Sequence, residues 1–200
     1  MVTFDPASPR TASSPGGTAS PGQYGETLDE LLDRLCATVE DYPKPGITFK
    51  DLTPVFADSV GLRAIVDALT APFAGGFDLV AGIEARGFLL AAAAAYASGT
   101  GVITVRKKGK LPRRTISEDY ALEYGSATLE VHEDDIPAGT RVLLLDDVLA
   151  TGGTLSAATR LMERTGARVA GIGVVLELTA LNGRAALAGH RVRSLQRVDV

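Results

Sequence analysis

The chain is poor in the residues that hold metals or staples. Among its 200 residues Cys36 is the single cysteine, so neither an intrachain disulfide nor a multi-thiolate zinc site can form. Cys36 falls on the apolar side of a helical repeat and reads as a buried structural thiol rather than a reactive one. There are two histidines, His132 and His190. Neither has a second histidine one helical turn away, so His132-Glu133-Asp134-Asp135 is not a zinc motif. Long apolar runs are also lacking. The stretch Val80 to Ala97 is broken by Glu84, Arg86 and two glycines, and reads as strand, turn and Ala-rich helix rather than a membrane span. The first residues lack the basic-then-apolar layout of a secretory signal, and a cytoplasmic protein is the expectation. A net charge of −4 and a pI near 5.2 argue against a nucleic-acid or anionic-membrane surface.

What is present divides in two. Residues 1–24 include 14 Pro, Ser, Thr or Gly and few large hydrophobes. Such a segment cannot bury enough surface to offset its ordering entropy, and it is expected to be a disordered extension. Residues 25–200 are expected to form one domain. A 20.8 kDa chain can bury ~70% of its unfolded surface, enough for a core without staples. Leu28, Leu31, Leu32, Leu35, Cys36 and Val39 share a helical face, with Pro43 and Pro45 ending the pattern. Leu62, Ile65, Val66 and Leu69 mark a second helix. Strands are predicted over 77–83, 101–105, 141–145 and 167–178. Strands interleaved with helices imply an α/β fold, a mostly parallel sheet flanked by helices. The polar stretch between 105 and 141 is predicted as a long loop, and its basic start suggests a lid.

Residues Val142 to Thr154, Val-Leu-Leu-Leu-Asp-Asp-Val-Leu-Ala-Thr-Gly-Gly-Thr, carry the most chemistry. An unalternating apolar run marks a strand buried on both faces. Asp146 and Asp147 follow at the carboxyl edge, where open α/β sheets bind ligands. Ala150, Thr151, Gly152, Gly153 and Thr154 then lead into the helical spacing of Leu155, Ala158 and Met162. Glycines let successive N–H groups converge on one oxyanion, and a helix start adds donors and a partial positive charge. The carboxylates repel that anion and suit neutral hydroxyls or a metal instead. A phosphate at one end and a diol at the other describe a sugar 5-phosphate.

The acidic total also hides a local reversal. Residues 106–114 hold Arg106, Lys107, Lys108, Lys110, Arg113 and Arg114 with no acid, which leaves the rest of the chain at −10 by difference from −4. With screening over ~8 Å in physiological salt, a small polyanion near this segment responds to the segment, not to the total.

The Val142–Thr154 pattern resembles the type I phosphoribosyltransferases, whose signature loop holds the 5-phosphate of phosphoribosyl pyrophosphate (PRPP). Four further segments resemble the adenine phosphoribosyltransferases in particular: residues 41–51 (DYPKPGITFKD), 82–88 (GIEARGF), 105–112 (VRKKGKLP) and 122–125 (LEYG). With Glu177-Leu178-Thr179 the resemblance covers residues 27 to 197. It implies the type I phosphoribosyltransferase fold, with a flexible lid loop and a short N-terminal base-binding segment. It also implies a purine-salvage reaction, adenine plus PRPP giving AMP and pyrophosphate. By the same resemblance Ala150 to Thr154 hold the 5-phosphate, and Asp146 and Asp147 the ribose hydroxyls. Arg86, Arg106, Lys107 and Lys110, with Mg²⁺, face the pyrophosphate. Glu123 manages the base's proton, and the segment of Thr48, Phe49 and Lys50 meets adenine through its backbone. No metal site built wholly from protein is expected, and a basic residue reaching the neighbouring subunit implies a homodimer. Residues 47–51 do not by themselves distinguish adenine from a 6-oxopurine. A non-catalytic PRPP-sensing regulator of DNA is opposed by the acidic balance and by the absence of an added DNA-binding module before the first predicted helix.

Overall fold

The structure, a computed structural model, describes residues 25–42, 44–121 and 125–199. The predicted extension at 1–24 lies outside the described residues.

A capping box opens the first helix, α1 (Leu28–Leu35). The Thr27 hydroxyl accepts from the Glu30 N–H at 3.3 Å, and the Glu30 carboxylate accepts from the Thr27 N–H at 2.7 Å. The helix stops earlier than the apolar spacing predicts. Cys36 turns extended, and β1 (Ala37–Val39) pairs antiparallel with β2 (Phe49–Asp51), leaving Val39 exposed. Strand pairing by β-branched Thr38 and Val39 overrides the helical periodicity there. The Cys36 thiol is partly buried, points to the Asp51 carbonyl at 3.4 Å, and is pushed up in pKa by burial. Next come α2 (Thr53–Ala57) and α3 (Ser59–Thr70). Asp58 caps α3 by accepting from the N–H groups of Val60 and Gly61 at 3.0 and 2.7 Å.

The main sheet then begins with β3 (Leu79–Ile83), α4 (Gly87–Ser98) and β4 (Gly101–Lys107). An antiparallel hairpin, β5 (Thr115–Ala121) and β6 (Ser126–His132), follows. The chain returns through β7 (Arg141–Leu149), α5 (Gly153–Arg164), β8 (Arg168–Leu178) and β9 (Val192–Val198). The order across the sheet is β5-β6-β4-β3-β7-β8-β9; β4, β3, β7, β8 and β9 run parallel to one another, and β6 joins β4 antiparallel.

Strand β7 is buried on both faces, as its unbroken apolar run predicts. Leu143 and Leu145 join one apolar cluster with Ile65 and Leu69 of α3 and Leu90 and Ala94 of α4. Val142 and Leu144 join the opposite cluster with Leu155, Ala158 and Leu161 of α5. The period of two along the strand thus feeds two separate cores.

The polar stretch read from sequence as a long loop is largely the β5–β6 hairpin. It is fastened to the sheet by the pairs Arg106↔Glu130 and Lys107↔Leu129. Leu129 and Val131 are buried in the α5-side core, and Ile116 and Tyr120 pack against it. A further strand, β9, also went unpredicted, because in Val-Arg-Ser-Leu-Gln-Arg-Val only Leu195 is buried.

Candidate active site

Strands β3 and β7 are neighbours although β4, β5 and β6 intervene in the chain. The strand order reverses there, and ligand crevices form at the carboxyl ends of such strands. β3 stays paired with β7 only as far as Gly82↔Leu145, whereas β7 continues beside β8 to Leu149↔Glu177. Asp146 and Asp147 therefore lie on β7 itself, past the end of β3, facing the opened crevice. The strand runs through the two carboxylates instead of stopping before them.

Gly87 makes this corner tight. A Cβ at Gly87 would stand 2.8 Å from the Leu145 carbonyl oxygen and 3.1 Å from Asp146 Oδ1, so only glycine lets the start of α4 approach so closely. Both aspartates are 8% exposed. Asp146 Oδ1 accepts from the Asp147 N–H at 3.0 Å. Burial first, and the neighbouring Asp147 charge second, push the Asp146 carboxyl well above the ordinary range. Asp147 Oδ2 lies 2.6 Å from Arg86 Nε, an ion pair that lacks hydrogen-bond geometry. Arg86 Nη1 is 3.9 Å from Asp51 Oδ1, and the guanidinium carbon is 5.8 Å from the Phe49 ring centroid. A cavity of about 420 Å³ opens here, lined by Glu84, Ala85, Arg86, Lys107, Tyr120, Asp146, Asp147 and Thr154 among others.

The basic segment has a built shape. Glu84 Oε2 accepts from the Lys107 N–H at 2.9 Å and lies 3.5 Å from Arg106 Nε. Arg106 Nη1 donates to the Lys110 carbonyl at 3.2 Å, and its guanidinium sits 5.9 Å from the Phe88 ring centroid. Glu130, nearly fully buried, accepts from the N–H groups of Lys110 and Leu111, each at 3.0 Å. Burial opposes its charge, but the N–H groups of Leu111, Gly109 and Lys110 together lower its pKa. Besides Arg106 with Glu84, two more of the six cations face acids beyond the segment: Arg113 with Asp135 at 2.6 Å and Arg114 with Glu133 at 2.7 Å. Of the four assigned to pyrophosphate, Arg86 and Lys107 line the cavity, while Arg106 and Lys110 do not.

Beyond Leu149 the chain curls through Gly152, at φ 82°, into α5. No side chain caps this helix start, so its first-turn N–H groups are available to a ligand. Ala150 to Thr154 surround a small cavity of about 80 Å³ with Asp146, Val148, Leu149 and Leu155. A third cavity, about 590 Å³, lies between residues 46–50 and the wall of Val148, Leu176, Leu178 and Leu181. Thr48 and Lys50, which also line this cavity, donate through their side chains to Glu40 (2.9 Å) and Thr38 (2.8 Å). Phe49 meets Tyr42 edge-on at 5.3 Å.

The three cavities share walls. Asp146 and Thr154 line both the first and the second, and Val148 lines both the second and the third. Glu123 and Tyr124 lie outside the described residues; on either side of them Ala121 pairs with Ser126. Glu130, and Glu177 with its arginine partners, were given no role by the sequence, because their partners lie far along the chain. Among the described residues no group of three or more His, Cys, Asp or Glu could hold a metal. No helix among them is long and apolar enough to cross a membrane.

An α/β sheet with paired carboxylates at its switch point, a glycine-led helix start and a basic segment defines a phosphate- and sugar-binding enzyme. Residues 62–192 match the phosphoribosyl transferase domain model. An adenine phosphoribosyltransferase of Arthrobacter sp. is 71% identical over 182 residues, covering 90% of this chain and 98% of its own. One from Mycobacterium marinum is 55% identical over 177 residues, covering 88% and 96%. The crystal structure of adenine phosphoribosyltransferase from Thermoanaerobacter pseudethanolicus superposes with a TM-score of 0.82 at 44% identity, covering 86% of this chain and all of that one. The Saccharomyces cerevisiae enzyme, solved with an imino-altritol bisphosphate and adenine, gives 0.80 at 34% identity over 84% and 98% of the chains. The chain belongs to the phosphoribosyltransferase family, in its adenine phosphoribosyltransferase branch.

Proposed function

We propose that the protein transfers the phosphoribosyl group of PRPP to adenine, yielding AMP and pyrophosphate. The observation that carries this reading is the run of three wall-sharing cavities along the carboxyl end of β7. One is ringed by charge, one is a small glycine-lined cup, and one is apolar. PRPP carries a diphosphate and a 5-phosphate on one ribose, and adenine supplies the flat base, so the three cavities match the three groups the reaction brings together.

In the reaction the C1–O bond to pyrophosphate breaks with its electron pair, adenine N9 bonds to C1, and the N9 proton is lost. Positive charge builds on the ribose ring. Asp146 and Asp147 accept from ribose hydroxyls and stabilise that charge from preorganised positions. Arg86 and Lys107 face the departing diphosphate, and Arg106 and Lys110 shape the segment that carries Lys107. Ala150 to Thr154 hold the 5-phosphate with backbone N–H groups and hydroxyls. Adenine lies against Val148 and Leu178, its edge read by the backbone around Thr48, Phe49 and Lys50. Glu123 takes the proton role.

The paired carboxylates offer the kind of oxygen ligands a hard divalent cation takes, with Asp147 Oδ2 held at the cavity by its 2.6 Å ion pair with Arg86. Asp146 and Asp147 would hold Mg²⁺ together with substrate oxygens, and the bound ion would neutralise charge on the leaving diphosphate. A homodimer is supported by exposed apolar residues on α4 and β4: Leu89 at 54%, Tyr96 at 92% and Val102 at 46%. The test is product analysis with adenine, PRPP and Mg²⁺. Equal amounts of AMP and pyrophosphate are expected, and pyrophosphate without AMP would overturn the transfer.

A further inference from the structure

The 5-phosphate loop has no side-chain core of its own. Ala150-Thr151-Gly152-Gly153 is small throughout, yet a phosphate cup must hold its N–H groups to within a fraction of an ångström. Its support comes from the short helical turn Gly183–Leu187, which lies directly on it. A Cβ at Gly183 would fall 2.0 Å from the Ala150 carbonyl oxygen and 2.9 Å from the Gly152 nitrogen. A Cβ at Gly152 would fall 2.3 Å from the Gly183 carbonyl oxygen and 3.0 Å from Ala186 Cβ. Backbone therefore rests on backbone, and the loop can shift only if the turn shifts.

The turn is in turn fixed by its next residue. Arg184 Nε donates to Glu177 Oε1 at 3.0 Å, and Nη2 donates to Glu177 Oε2 in the same fork. Arg184 Nη1 donates to the Val192 carbonyl at 3.1 Å, and Nη2 donates to Ser194 Oγ at 3.0 Å. Ser194 Oγ donates onward to Glu177 Oε2 at 2.6 Å. Glu177 is 3% exposed and sits opposite Leu149 on β7. Its neighbours Leu176 and Leu178 line the base cavity, so alternation turns Glu177 to the other face, behind the phosphate loop. The fork thus links the ends of β8 and β9 to the turn, and the turn to the loop.

We propose that Glu177 and Arg184 are positioning residues for the 5-phosphate loop, acting through the Gly183 backbone. This rests on the phosphoribosyltransferase reading, and it assigns specific residues to hold the cup in shape. The pair touches neither the diphosphate cavity nor the base cavity, so its loss falls on ligands that carry the 5-phosphate.

The test uses the full chain carrying Arg184→Met, with ribose 5-phosphate and pyrophosphate as separate inhibitors. Ribose 5-phosphate inhibition and the KM for PRPP should weaken by about tenfold, below the ~10²-fold that a misplacement of ~1 Å can cost. Pyrophosphate inhibition should stay within about twofold and kcat should change less than KM, because the diphosphate groups are untouched. Arg184→Lys should restore part of the loss, since one ammonium replaces a fork. Should Arg184→Met fail to fold, Ser194→Ala keeps both charges and should show the same selectivity at smaller size. Equal weakening of both inhibitors, or unchanged ribose 5-phosphate inhibition in a folded variant, would overturn the proposal. An unaltered protein that binds neither inhibitor would sink the site reading itself, and the positioning role with it.

Discussion

Arg86 Nε lies 2.6 Å from Asp147 Oδ2, joining the end of β3 to the acidic pair on β7. The guanidinium also faces Asp51 and the Phe49 ring, so one side chain touches the acidic pair, the N-terminal segment and the diphosphate cavity. An arriving diphosphate must share or take this cation. Arg86→Gln should therefore weaken pyrophosphate inhibition by roughly 10- to 100-fold, the worth of a hydrogen bond to a charged group at ~1.5–3 kcal/mol. The KM for adenine should hardly move. Comparable weakening of adenine would place the role of Arg86 in the base cavity instead.

Glu123→Ala should lower kcat far more than it raises the KM for PRPP, because a proton-transfer group acts in the transition state rather than in substrate binding. Steady-state kinetics with PRPP as the varied substrate decides it. An unchanged kcat would remove Glu123 from the proton step.

Glu177 gives a pH signature. Its forked hydrogen bonds with Arg184 outweigh burial and lower its pKa from 4.5 to about 2. A depressed carboxylate contributes stability that is full above its unfolded pKa and is lost as pH falls through the folded one. The stability gap between the native protein and Glu177→Gln should be constant near neutrality and close between pH 4.5 and about 2. Urea midpoints across that range test it. A gap independent of pH would mean that the ionised carboxylate contributes nothing.

Tyr96 is 92% exposed on α4, and Leu89 is 54% exposed on the same helix. Tyr96→Asp places a charge on that apolar face and should shift the proposed homodimer toward monomer in sedimentation. An unaffected dimer would put the subunit contact elsewhere.

Sequence and structure agree where side chains report their own surroundings. The continuous Val142–Leu145 run could only be a strand covered on both faces, and Gly-Gly before an amphipathic repeat could only be a turn into a helix. Agreement ends where a residue's role depends on distant partners. β5 and β6 carry mixed polar sequences and become strands through pairing with each other and with β4. The helical spacing through Cys36 and Val39 is real, but β2 captures Ala37–Val39. Gly183 looks like an ordinary turn glycine until Ala150 is seen lying against it. Glu130 likewise gains its meaning only from the N–H groups of Lys110 and Leu111.

The central claim is that the cavity between residues 46–50 and Val148 takes adenine while β7 presents PRPP. Pyrophosphate release from PRPP and Mg²⁺, with adenine, hypoxanthine, guanine and xanthine supplied separately, tests it most directly. The account predicts release with adenine and background rates with the three 6-oxopurines. Release with a 6-oxopurine but not with adenine would contradict it.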